Sequence, residues 1–445
     1  MNSEGTGKTV SGFSKLSKIG KLKWIVNNFF KDPEAVMKEM KSYWFQDEQD
    51  QKIIDSLSEN TISNFVLPFS VAPNFIINGR EYAIPMVIEE SSVVAAASHA
   101  AKYWSQRGGI HARVVSTIKE GSVYFFWDGD IALLMTGLPE LDKLIREDCR
   151  ELTAKMESRG GGIVDIGFVD MGHKEPGYKK LNIRFETCDS MGANFINTIL
   201  EEASSVMKGW FEAKGYDSPD ERRLEVIMSI LSNYTPQCLV EASVECPVEE
   251  LTNIPEMTPQ AFARRFYKAV RIATVDPSRA VTHNKGIFNG IDAVVLATGN
   301  DFRAVEACGH AFAARSGHYQ SLSTCTINDG IFSFTLLIPI ALGTVGGLTR
   351  LHPIARRSLE LLGNPGAEEL MQIVAATGLA QNFAAVRSLV TTGIQKGHMK
   401  MHLQNILWQM KATPQEQELL IEYFEDKIIS YASVRAQLEK IRSTL

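Results

Sequence analysis

The stretch Arg279–Asp301, RAVTHNKGIFNGIDAVVLATGND, decides how the rest of the chain is read. It carries one lysine, Lys285, in a segment otherwise poor in charge. Gly286 and Gly290 bracket Asn289, and a small-residue run, DAVVLATG, leads to Asn300 and Asp301. A lone cation beside glycines and amides suits an electrophile that steadies a developing oxyanion. The same residues also suit a surface turn after a buried helix, because Gly and Asn punctuate turns. Residue chemistry alone leaves both readings open.

Bulk properties narrow the classes. A chain of 445 residues exceeds one typical core, so two or three domains are expected. Hydrophobic content of 44% and charged content of 22% describe a globular protein. A net charge of -6 supplies no basic field, which argues against nucleic acid as partner. Cys149, Cys188, Cys238, Cys246, Cys308 and Cys325 form no CxxC pair, which suggests reduced thiols in a cytoplasm and no zinc site. His310, His318 and His352 read as structural, so no metal is expected. The N-terminus has no long apolar core and predicts no secretory signal. Ile331 to Thr349 is free of charge, but Pro339, Gly343, Gly346 and Gly347 interrupt it. A buried strand followed by a glycine loop fits it better than a membrane span.

Taken in order, residues 1–20 are rich in Gly, Ser and Lys and read as mobile. Lys21 to Met40 reads as a docking helix broken at Pro33, and Asp47 to Ser58 as another short helix. The alternation from Glu59 to Met86, with Asn78-Gly79 at its turn, reads as a hairpin. Ile88-Glu89-Glu90-Ser91-Ser92 precedes a small-residue helix. Either serine could cap that helix, and acids at its start suit the dipole. From Ala112 to Tyr234 the order β-α-β-β-α predicts an α+β insert with an antiparallel sheet, its first helix running from Pro139 to Ser158. No GxGxxG fingerprint is present. DSMGAN, Asp189 to Asn194, lies where a strand hands over to a helix. Gly192 and Ala193 there would let backbone approach a pyrophosphate, or Asp189 or Ser190 would simply cap the helix. Asp165 reads as a solvated acid at a strand end or as an acceptor for a ligand hydroxyl. Thr258 to Ala273 is a helix with a basic solvated face. The tail from Gly393 is charged and helical.

Five segments together resemble the hydroxymethylglutaryl-coenzyme A reductase family, in its soluble bacterial and archaeal class. They are PMVIEESSVVAAAS (Pro85 to Ser98), DSMGANFINT (Asp189 to Thr198), the Lys285 stretch, GTVGG (Gly343 to Gly347) and GLAQNFAAVRSLVTTGIQKGHMKMH (Gly378 to His402). The match spans roughly residues 59 to 402 in order. Two departures stand out: Ser63 replaces the glycine of an ENxxG element, and Ser91 stands where proline is usual.

The resemblance implies an α+β fold. A large mixed α/β substrate-binding domain (21–111 and 235–392) would hold an inserted ferredoxin-like dinucleotide-binding domain (112–234), with a C-terminal helical flap (393–445). It implies four-electron reduction of hydroxymethylglutaryl-CoA to mevalonate and CoA through mevaldyl-CoA and mevaldehyde, with two NAD(P)H. Alternatives are the same enzyme working oxidatively, or a silent CoA-ester-binding scaffold. Position by position, Glu90, Lys285, Asp301 and His398 match the family's catalytic residues, with Asp301 expected between Lys285 and Glu90. Ser92, Asn233, Arg279 and Asn289 match substrate contacts, and Arg279 would grip a free carboxylate. Asp189, Met191, Gly192 and Asn194 match the cofactor motif, and in such a dinucleotide site Asp165 would read the ribose, accepting from a 2′-hydroxyl and repelling a 2′-phosphate, which favours NADH over NADPH. The family shares its site between subunits, so a homodimer or higher oligomer is expected, without a membrane partner.

Overall fold

A computed structural model describes residues 9–217, 223–254, 257–391, 403–424, 427 and 429–444. Three helices open it: α1 (Lys18–Phe29), α2 (Pro33–Ser42) and α3 (Glu48–Ser56). Each starts at a side-chain cap, from Ser17, Asp32 and Asp47, which accepts an otherwise orphaned amide. Ser63, the departure from the ENxxG pattern, donates its hydroxyl to the Met40 carbonyl at 2.7 Å and ties the following loop to α2. The hairpin β1 (Phe69–Ile77) and β2 (Arg80–Val87) turns on Asn78 and Gly79, both at positive φ, as a two-residue turn requires.

The helix α4 (Ser91–Ser105) follows, with Glu90 at its N-cap position. β3 (His111–Thr117) then pairs with β8, and the chain crosses to a second sheet at Ile118, so the expected boundary at 112 falls inside β3. That second sheet carries β4 (Lys119–Phe126), α5 (Ile131–Asp148), α6 (Arg150–Glu157), β5 (Gly162–Asp170), β6 (Tyr178–Glu186), α7 (Ala193–Ala213) and β7 (Glu225–Leu231). Its strand order is β5-β6-β4-β7, all antiparallel, the split βαββαβ arrangement of ferredoxin-like folds. α5 does not begin at Pro139 as expected. Asp130 caps it eight residues earlier, and Pro139 lies inside it. Burial of Leu134, Leu141 and Ile145 on one face offsets the missing hydrogen bond.

The return strand β8 (Cys238–Pro247) joins the first sheet, of order β3-β8-β10-β9. Next come α8 (Pro259–Val275), α9 (Pro277–Ala297), α10 (Phe302–Ala313), β9 (Ser323–Asn328), β10 (Ile331–Pro339), α11 (Gly347–Leu351), α12 (Pro353–Leu361) and α13 (Ala367–Val390). The uncharged run from Ile331 is thus a buried strand and a glycine loop. α13 is long and apolar enough to cross a membrane, but it is buried in the core, packed on α9, α4, α8, β8 and β3. The hydrophobic interior falls into three clusters: one around the first sheet, one under the second, and a small one of Leu403, Ile406, Leu407, Leu420, Phe424, Val434 and Leu438 in the tail. Two tail helices, Pro414–Tyr423 and Tyr431–Thr444, are joined by a Glu416–Arg442 ion pair of 2.7 Å.

Candidate active site

Lys285 sits in the body of α9, so the Arg279–Asp301 stretch is a helix and not a turn. Of its glycines, Gly290 serves close packing, whereas a Cβ on Gly286 would meet nothing nearer than Ala385 Cβ at 3.8 Å. A Cβ on Gly290 would lie 2.8 Å from the Thr377 carbonyl oxygen of α13. β2 packs on α9 and delivers Glu90 just beyond its end. The Lys285 ammonium donates to Glu90 Oε2 at 3.1 Å, and Ser92 Oγ donates to Glu90 Oε1 at 2.9 Å. Lys285 is 62% and Glu90 36% exposed at the side chain. A pair so open to water contributes at most about 1 kcal/mol to stability. Its geometry therefore serves chemistry better than it serves the fold.

Two more matched residues share α9. Asn289 lies four residues on from Lys285 and so faces the same side, half-buried. Arg279 is half-buried too, and desolvation pulls its pKa down. No hydrogen bond or ion pair engages its guanidinium among the described residues, which leaves a desolvated cation fit for an anionic group. Beneath them a polar network fixes the helix. His283 Nε2 and Ser323 Oγ lie 2.6 Å apart, Ser323 Oγ donates to Asn382 Oδ1 at 2.8 Å, and Asn382 donates back to the His283 carbonyl at 3.3 Å. Burial, with help from Arg279, pushes His283 down to about 3, so its ring is neutral. Nothing in the sequence alone marked this network, because its members lie on three elements far apart in the chain.

Asp301 is placed elsewhere. Gly299 and Asn300 close the C-terminus of α9 through bonds to Leu296 and Val295 carbonyls. Asp301 then caps α10, accepting from Arg303 N at 3.0 Å and Ala304 N at 3.2 Å, and pairs with Arg303 at 3.2 Å. From Lys285 to the end of α9 the helix rises about 18 Å. Within one chain, then, Asp301 does not bridge Lys285 and Glu90 as expected.

Around Asp301 the remaining motifs converge. Asn300 Oδ1 accepts from Gly343 N at 2.9 Å, and Thr344 N donates to the Asp189 carbonyl at 2.9 Å. Gly343 packs so tightly that a Cβ there would meet Met191 N at 2.5 Å. Asp189, expected at the cofactor, spends a carboxylate oxygen on Ala367 N at 2.7 Å, the first residue of α13. It ties the DSMGAN loop to the other sheet's helix layer. Gly192, at φ 86, is the N-cap of α7 and supplies no side-chain cap to the helix amides. Asn194 is exposed one residue into that helix. Asn233, exposed after β7, lines one cleft with Met191, Lys119, Ala304 and Cys308. The structure thus makes two groups: Glu90, Ser92, Lys285 and Asn289 in one, with Arg279 nearer the start of the same helix, and Asn233, Asp301, Met191, Gly192 and Asn194 in the other.

Asp165 stands on the open face of the second sheet, where Arg184 of the neighbouring strand grips it at 2.8 and 3.2 Å. That guanidinium neutralises the charge expected to repel a 2′-phosphate. His398 lies outside the described residues. His310 bonds the Tyr319 hydroxyl at 2.7 Å, and His352 caps α12.

Known proteins give the same pattern. The family model for hydroxymethylglutaryl-coenzyme A reductase matches residues 26–403. The 3-hydroxy-3-methylglutaryl-coenzyme A reductase of Archaeoglobus fulgidus is 35% identical over 398 residues, covering 88% of this chain and 86% of its own. A probable reductase of the same name from Borreliella burgdorferi is 32% identical over 404 residues, 90% of each chain. The class II enzyme of Streptococcus pneumoniae, solved bound to NADPH in open conformations, shares 35% identity at a TM-score of 0.69 over 93% of this chain and 100% of its own. Another structure of that enzyme gives a TM-score of 0.71 over 97% of this chain at 35% identity. The chain belongs to the hydroxymethylglutaryl-coenzyme A reductase family.

Proposed function

We propose that this chain reduces hydroxymethylglutaryl-CoA to mevalonate and CoA with two nicotinamide dinucleotides, the family reaction. The observation that carries this reading is the Lys285 ammonium held 3.1 Å from Glu90, on a helix whose desolvated Arg279 has no counterion among the described residues. The dinucleotide supplies hydride. Arg279 holds the substrate's free carboxylate, and Asn289 and Ser92 orient the chain between. Lys285 stabilises the oxyanion that forms on the thioester carbonyl, where a fixed charge in a closed site is most effective. Glu90, the carboxylate that accepts from Lys285 and Ser92, relays to the second oxyanion a proton taken up from solvent. His398, by its match to the family motif, protonates the departing CoA sulfur from a tail that opens and closes between hydride steps.

The two groups of site residues support a shared site. A second copy would bring Asp301, Asn233 and the DSMGAN loop to the Lys285–Glu90 pair of the first, since within one chain about 18 Å of α9 lies between Lys285 and the helix end that leads to Asp301. Phe65 and Val66, 90% and 65% exposed near the N-terminal helices, are suited to such a contact. In this reading the insert lies between the sheet crossings at Ile118 and Leu231–Cys238, and the tail is the flap.

The α7 N-terminus suits a dinucleotide phosphate, since its amides are uncapped by any side chain and Gly192 allows close approach. The Arg184–Asp165 pair is half exposed and weak, so it opens at little cost. Asp165 then serves the ribose hydroxyl of NADH, and Arg184 the extra phosphate of NADPH. The six cysteines are all free thiols, which fits action in the cytoplasm. The test is direct: two equivalents of NADH or NADPH oxidised per CoA released. No oxidation by folded, dimeric protein would overturn the reading.

A further inference from the structure

Lys119 is 4% exposed, at the first residue of β4 where the chain enters the second sheet. Its ammonium donates to Thr187 Oγ1 at 2.6 Å and, at 3.4 Å, to the Ser190 carbonyl. No carboxylate stands within ion-pair distance of it among the described residues. The acids beside it in the strand ladder are engaged elsewhere: Glu120 accepts from Asn182, and Glu186 accepts from Thr117 and Cys188 N. A buried ammonium with only neutral acceptors is costly. A second positive feature adds to it, because the uncapped N-terminus of the 21-residue helix α7 begins three residues beyond Ser190.

Lys119 also underlies the loop itself. Thr187 Oγ1 donates to the Ser190 carbonyl at 2.7 Å, and Thr187 is fully buried. Gly192 rests on Thr187 so closely that a Cβ would meet its methyl at 2.6 Å. Lys119, Thr187 and Ser190 therefore form a stack that shapes the Thr187–Gly192 turn from below. Lys119 also lines the cleft shared by Met191, Asn233 and the start of α10.

We infer that Lys119 is a positioning residue for the dinucleotide's pyrophosphate. It fixes the Ser190 carbonyl so that the α7 amides face the ligand, and its charge is balanced only when the diphosphate is bound. This rests on the cofactor reading above.

The test compares Lys119→Gln, which keeps a donor but no charge, and Lys119→Met, which keeps neither, with the whole enzyme. NADPH and reduced nicotinamide mononucleotide, which lacks the diphosphate bridge, are titrated by fluorescence, and Km for hydroxymethylglutaryl-CoA is measured beside them. Both variants are expected to bind NADPH roughly tenfold more weakly, the cost of losing one charged hydrogen bond. The mononucleotide affinity and the Km for the CoA ester stay near wild type. Lys119→Arg restores part of the NADPH affinity. Unchanged NADPH affinity in Lys119→Gln, or an equal loss for the mononucleotide, would overturn the assignment even if Lys119→Met fails to fold. If wild-type protein binds no NADPH, the cofactor reading falls, and this inference with it.

Discussion

The Lys285 ammonium lies 3.1 Å from Glu90 Oε2 although 195 residues separate the two in sequence. β2 and α9 pack together to make that meeting, and the pair is exposed enough to add little to stability. Lys285→Met is therefore expected to lower kcat by about a hundred- to a thousandfold, the usual cost of one oxyanion donor. Its melting temperature should stay close to wild type, and so should its NADPH affinity. Steady-state kinetics beside a thermal melt checks this. A variant that keeps turnover would remove Lys285 from the chemistry.

The separation of Asp301 from Lys285 along α9 gives a second expectation. Lys285→Met and Asp301→Asn are each expected to be nearly inactive alone. If two chains share a site, unfolding and refolding the two variants together restores about a quarter of wild-type activity. Half the dimers are then hybrids, and each hybrid has one of two sites intact. Activity of the mixture no higher than that of the separate variants would place Asp301 and Lys285 in one chain's site.

Much of this organisation was legible before any coordinates. The Asn78-Gly79 hairpin, the β-α-β-β-α run of the insert and the strand with glycine loop at Ile331 all follow from local pattern, while the insert's last strand, β7, was not read there. The Lys285 stretch was harder, because Gly286 and Gly290 look like turn residues. The reason for Gly290 is distant: it clears the Thr377 carbonyl of α13, and Gly378 of α13 clears Ile291 in return. A single sequence does not say which helix will lie against a glycine. Asp189 has a second role that was hidden for a related reason. It sits in a cofactor motif, yet its carboxylate caps a helix that begins 178 residues later. Asp301 matched a family position while its own chain uses it as an N-cap. For Asp189 the partner lay outside the local window, whereas Asp301 finds its partners two and three residues on. Pro139 shows the reverse: a good local start signal lost to tertiary burial of the turn before it.

Arg184 and Asp165 supply a test of cofactor choice. They are paired in register across β5 and β6, and the salt bridge is half open to water. Arg184→Ala is expected to weaken NADPH by roughly tenfold while leaving NADH nearly unchanged, because only NADPH carries the phosphate that a guanidinium binds. Asp165→Ala should act the other way, weakening NADH more than NADPH. Equal effects on both dinucleotides would take this pair out of the adenosine end of the site.

Asp292 links stability to pH through the helix that carries Lys285. Its Oδ1 is buried without a hydrogen-bond partner among the described residues. Burial, and then the neighbouring Glu306 carboxyl of α10, push its own carboxyl far above the usual carboxylate range, to about 8. The sign follows from linkage. The native state holds a proton that the unfolded chain has already released above its ordinary carboxylate pKa. Stability from this group therefore falls as pH rises from the carboxylate range to about 8, and the loss levels off above it. Asp292→Asn keeps the shape, removes the titration and lets an amide donate to Glu306. It is expected to stabilise the protein on the order of 2 kcal/mol at pH 8, with a smaller gain at pH 5. Thermal melts of the variant and wild type across that range check it. A difference that does not change with pH would show that Asp292 is ionised in the native protein, and that α9 and α10 tolerate its charge.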